Sequence, residues 1–156
     1  MKYLKKYKVF ELSENDESKV IDDLIDIFSD VSDYGLEVKV ESVPGRSRND
    51  LETHSSSINV SIHGIVGDDN LADFSLPTFK LRYVVDVIQR ANDFLKSYSY
   101  IIQPIFATKI TTGGGKQKNE SYFITLDDIE SKSNMECTHV SINWRLPIDY
   151  KFQSSE

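Results

Sequence analysis

The sequence predicts an α+β fold, a two-layer sandwich in which two helices cover one face of an antiparallel sheet. The element order is ferredoxin-like, with two extra C-terminal strands. Three observations predict it. Two segments carry apolar residues at helical spacing, several others alternate apolar and polar residues with period two, and glycine or polar clusters separate them. At 156 residues the chain has the length of one domain, read here as residues 1–147 followed by a tail at 148–156.

Taken in order, KYKVFEL at 6–12 reads as a short strand. Ser13 or Asn15 then offers a cap, and Asp16 and Glu17 supply an acidic first turn suited to the positive end of a helix dipole. Val20, Leu24, Ile27 and Val31, joined by Ile21 and Phe28, make one apolar stripe, and Gly35 is placed to end the helix in a left-handed conformation. In LEVKVES, Leu36, Val38 and Val40 alternate with Glu37, Lys39 and Glu41, the pattern of a half-buried strand. Residues 44–57 lack periodicity and read as a long mobile loop within the domain.

Alternation returns in INVSIHGIV, where Ile58, Val60 and Ile62 oppose Asn59, Ser61 and His63. A second helix is expected from about Phe79 to Tyr98, with the stripe Leu81, Val84, Val85, Ile88, Ala91 and Leu95. From Tyr100 to Thr112 a strand pattern is interrupted by Pro104, which cannot donate to a ladder, so this is an edge, a bulge or two shorter strands. SYFITL and ECTHVSINWRL are the last two strands, separated by a polar segment with room for a helical turn.

TTGGGKQKNE, at 111–120, places three glycines before a lysine. A phosphate-binding loop would need a glycine five positions before Gly115, a serine or threonine after Lys116, and a helix to follow. Ile110 and Gln117 stand at those positions and a strand follows, so the stretch is read as a hairpin turn with positive backbone dihedrals.

Net charge of −7 opposes broad binding to nucleic acid or to an anionic membrane, and no apolar run reaches the ~18 residues of a membrane helix. Nucleic acid and membrane are therefore not expected partners. The acids crowd between Glu11 and Glu37, on a solvated helix face or a surface for a basic partner. Arg46, Arg48, Lys116 and Lys118 are the anion-binding candidates. A single cysteine, Cys137, excludes an intrachain disulfide and multi-cysteine metal sites, and no cofactor is called for. Strand parity would put Cys137 on the face of His139, about 6–7 Å away, a poor distance for a nucleophile and its base.

His139 and Ser141 project from one strand face, and His54 and Ser56 repeat that spacing. THVSINW is similar to the strand motif of two-histidine phosphoesterases. That resemblance implies His54 and His139 as acid and base, with Ser56 and Ser141 holding the phosphate of a small nucleotide or cyclic phosphate. His63 and His139 could also meet across a sheet face as metal ligands, but neither strand offers them a carboxylate, so no metal site is expected.

The progression of VIDDLIDIFSDVSDYG into LEVKVES, recurring in FKLRYVVDVIQRANDFLKSYSYIIQPIF, resembles the small acidic accessory proteins of large tailed phages. This implies a viral accessory protein in the host cytoplasm, with no particular activity attached. With no complete catalytic constellation in the chain, the expected function is a non-enzymatic protein-binding or regulatory module with a protein partner, capable of forming a homodimer. A phosphoesterase-like hydrolase is the alternative.

Overall fold

A computed structural model of the chain describes residues 14–48, 51–54, 56–65 and 77–147. The strand expected at 6–12, the Ser13 cap and the tail at 148–156 lie outside the described residues. The fold is α+β, with two long helices and an antiparallel sheet among the described residues.

Helix α1 spans Glu14–Phe28 and tightens into a 3-10 segment, Ser29–Tyr34. Gly35 then adopts φ 74° and donates its N–H to the Ser32 carbonyl, the left-handed stop that the glycine was expected to supply. Strand β1, Leu36–Val43, follows directly. The segment 44–57 is not wholly irregular: β2, Arg46–Arg48, and β3, Leu51–His54, pair as a small separate ribbon. Strand β4, Ser57–Gly64, then returns antiparallel to β1, with Leu36 opposite Gly64 and Val43 opposite Ser57.

After β5, Phe79–Lys80, helix α2 runs over Arg82–Lys96 and buries Val84, Val85, Val87, Ile88, Ala91 and Leu95. Pro104 divides the next pattern into two shorter strands, β6, Ile101–Ile102, and β7, Ile105–Gly113. Gly114 and Gly115, at φ 59° and 76°, turn the chain into β8, Lys116–Ile124. Gly113 pairs with Lys116, so TTGGGKQKNE is a two-residue hairpin whose turn needs positive φ at both central positions. A 3-10 turn, Leu126–Asp128, leads towards β9, Glu136–Cys137, which pairs with β5, and then to β10, His139–Arg145.

The main sheet runs β1-β4-β10-β7-β8, with β6 also on β10. The last strand in the chain therefore lies in the middle of the sheet. Its composition suits that place, because Val140, Ile142 and Trp144 are all buried while both of its edges are paired. These residues join Ile58, Val60, Ile62, Ile105 and Ala107 from neighbouring strands, together with the apolar stripes of α1 and α2, in one core. Arg90 on α2 ties the helices together at the surface, bonding Asp30 at 2.9 Å and Asp86 at 3.0 Å.

The expectation that Cys137 shares a face with His139 is corrected by a break at Thr138. Its N–H and its hydroxyl both donate to the Thr108 carbonyl, while its Oγ1 accepts from the Ile110 N–H. The strand is thereby interrupted. Cys137 is buried opposite Phe79, and His139 begins a new strand half-exposed.

Candidate functional site

Residues directly opposite each other on antiparallel strands project from the same face, so the register assembles two rows that run across the sheet. The first is Glu37, His63, His139, Thr108 and Ser121; the second is Lys39, Ser61, Ser141, Phe106 and Phe123. Both rows lie on the face that alternates with the core residues.

In the first row the rings of His63 and His139 are 5.9 Å apart and tilted by 43°. His63 Nδ1 lies 3.0 Å from the Gly64 carbonyl, which can only accept, so that nitrogen carries a proton and, in the neutral ring, the lone pair sits on Nε2. Nε2 in turn faces Oε2 of Glu37 at 3.8 Å. On His139, Nδ1 is 3.1 Å from Thr138 Oγ1. Because the Thr138 hydroxyl proton is committed to the Thr108 carbonyl, Thr138 accepts from His139, whose Nε2 is likewise free. Burial, and secondarily the neighbouring His63, push the His139 pKa down, which keeps this imidazole neutral at neutral pH.

The second row ends in an aromatic pair. Phe106 and Phe123 lie 5.0 Å apart, and Phe123 remains 76% exposed on β8, the last strand of the sheet among the described residues. An exposed phenyl ring on a sheet edge loses free energy to water and is stabilised by any partner that covers it.

The sequence-derived candidates are dispersed. Ser56 accepts from the Leu146 N–H through its carbonyl and from the Gly45 N–H through its hydroxyl, which places it about seven residues, or roughly 23 Å, along β10 from His139. His54 belongs to the β2–β3 ribbon, outside the main sheet, and the position of its side chain lies outside the described residues. The structure thus does not bring Ser56 beside Ser141. Instead Ser61 and His63 meet Ser141 and His139, each directly opposite its like.

Lys116 and Lys118 are exposed at the hairpin, with Lys118 3.2 Å from Glu120. Arg46 and Arg48 follow the opposite end of the sheet, where Val43, Ser57 and Arg145 are aligned, whereas Gly113 lies five residues past Thr108, beyond the His139 end. The two segments that carry the basic pairs thus stem from opposite ends of the main sheet.

Sequence reasoning missed Glu37 as the carboxylate beside the histidines, because it comes from a third strand and only register brings it there. The alternation in SYFITL did carry a sign of the aromatic row, since Phe123 sits at the period of Ser121. Two grooves among the described residues, of about 440 and 370 Å3, lie beside α2 and the 126–130 turn, and neither is lined by these groups. No helix among the described residues is long and apolar enough to cross a membrane. No protein-family model, curated protein or solved structure matches the chain.

Proposed function

We propose that this chain is a non-enzymatic protein-binding or regulatory module that accepts an extended strand of a partner protein along β8. The observation that carries the reading is Phe123, a 76% exposed aromatic on an edge strand with no neighbour on its outer side among the described residues. Strand addition uses main-chain hydrogen bonds for affinity and alternate side chains for selectivity. On β8 an added strand would cover Phe123 on one face and Tyr122, 47% exposed, on the other. Lys116, Lys118 and Glu120 place charge on the distal half, which discourages indiscriminate pairing there, and the segment Ser121–Phe123 carries none.

The burial alternation supports a ferredoxin-like sandwich with both helices over one sheet face, so that the two polar rows belong to the open face. The exposed acids Asp22, Asp26 and Asp30 on and just after α1 favour a partner with basic residues. Such a role suits a viral accessory protein of the kind the sequence resembles, and a second copy of the chain is one candidate partner.

The test compares wild type with Phe123→Glu in a pull-down from host lysate, alongside light scattering of the purified protein and hydrogen exchange. The expected result is a partner, or a homodimer, that protects amides at 121–124 and is lost in the variant. A monomer without partners, or a partner held equally by Phe123→Glu, would sink the reading.

A further inference from the structure

We infer that Glu37, His63 and His139 form a binding site for one divalent transition-metal ion of the class that prefers imidazole, with zinc as the representative. The three residues occupy directly opposite positions on three adjacent strands, so the backbone register holds them in one row. Each histidine donates its Nδ1 proton to the protein, His63 to the Gly64 carbonyl and His139 to Thr138, which orients both rings and, in their neutral forms, puts both lone pairs on Nε2. Metal-bound histidines are held by such outer partners, which fix the tautomer and the ring direction.

Two separations in the row lie near those that an ion would impose. Among the described residues no three His, Cys, Asp or Glu side chains already stand at metal-ligand spacing, so this row would have to draw together around the ion. A tetrahedral ion with bonds of about 2.0–2.1 Å separates a nitrogen and an oxygen donor by roughly 3.4 Å and two imidazole ring centres by roughly 5 Å. The corresponding separations here are 3.8 Å and 5.9 Å. Both exceed the separations around a bound ion, so the side chains must turn inward to ligate it.

Chemistry points the same way. In the neutral tautomer that the Gly64 carbonyl selects, a lone pair on His63 Nε2 faces a carboxylate oxygen, a contact that either a proton or a metal cation between them relieves. Two imidazoles and a carboxylate make a borderline donor set of the kind that zinc, nickel and copper accept, whereas magnesium and calcium want more oxygen. Three protein ligands leave a fourth position open on the solvent side of the sheet. The site is independent of the β8 edge, because Phe123 lies in the other row.

The decisive experiment titrates zinc chloride into the full chain by calorimetry and follows the imidazole resonances of its three histidines by NMR. One equivalent is expected to bind, moving the signals of His63 and His139 and leaving those of His54 in place. His63→Asn and His139→Asn are each expected to weaken binding by about tenfold or more, and Glu37→Gln to weaken it measurably, while His54→Asn leaves it unchanged. Zinc should also raise the melting temperature of wild type but not of His139→Asn, whose metal-free melt shows that the variant folds. Absence of saturable binding, or binding that survives both histidine substitutions or depends on His54, would overturn the assignment.

Discussion

Trp144 Nε1 donates to Oδ1 of Asn92 at 3.2 Å, joining the central strand β10 to helix α2 inside the core. Trp144 is fully buried and Asn92 nearly so. A buried polar group is tolerated only when it is paired, and this pair satisfies both. Asn92→Ala should leave the indole N–H without a partner and cost about 2 kcal/mol, and Trp144→Phe should cost roughly 2–4 kcal/mol by orphaning the amide and opening a cavity. Urea unfolding checks this. The double variant Asn92→Ala with Trp144→Phe should lose less than the sum of the singles, because neither polar group then remains.

Gly64 closes β4 against Pro77. A Cβ at this position would lie 2.6 Å from Cγ and 3.0 Å from Cβ of the proline ring, and 3.1 Å from its carbonyl oxygen. The ring is stiff and the carbonyl belongs to the backbone, so Gly64→Ala must displace main chain, at a cost of about 1–3 kcal/mol. Gly113→Ala is the matched control, since nothing lies within 4 Å of its added methyl and its φ is not positive. Thermal melts of the two variants should separate by several degrees; equal melts would show that the Pro77 contact is absent in solution.

Gly35 and Gly115 have almost the same φ, 74° and 76°, but their replacement should not cost the same. Alanine in the left-handed region is strained by roughly 1–2 kcal/mol wherever it sits. Gly35 is flanked by Val31 and Leu36, both buried, so its strain has no local escape and Gly35→Ala should lower global stability by that amount. Gly115 turns a hairpin whose residues 111–119 are all exposed. There the tip can open without unfolding the core, and Gly115→Ala should register as faster amide exchange at the tip with little change in melting temperature.

The contrast between these glycines reflects what a sequence makes legible. Gly35 and the GGG turn could be read from local chemistry, as could an interruption at Pro104, with two shorter strands among its three possible forms, and the core stripes of both helices, because each depends on residues close in the chain. The central position of β10 could not. Its Val140, Ile142 and Trp144 alternation indicates one buried face, and strand order is decided by which edges those side chains cover. Glu37 was invisible as a neighbour of the histidines for a related reason: it lies 26 positions before His63 and 102 before His139, and meets them only through register. Parity also misled at Thr138, where hydrogen bonds to Thr108 and Ile110 end one strand and begin the next, turning Cys137 inward.

Burial at Cys137 and Tyr100 sets the alkaline limit of the fold. The thiol is pushed up to about 11, mainly by burial and slightly opposed by Lys109; the phenol is pushed up to about 12 by burial and then by Glu17. Both groups thus hold their protons more tightly folded than unfolded. Their contribution is fully present below the unfolded pKa values, near 8.5 for a thiol and 10 for a phenol, and is lost as pH rises through the folded values. Stability should therefore fall progressively between about pH 8.5 and 12. The melting temperature of Cys137→Ala should decline less steeply over the lower part of this range, and that of Tyr100→Phe less steeply over the upper part. Reaction with a thiol reagent provides the independent readout: Cys137 should resist alkylation at mildly alkaline pH and react at once in denaturant, since attack requires a thiolate that the folded core does not release. Rapid labelling of the native protein would show that this face of the core is open.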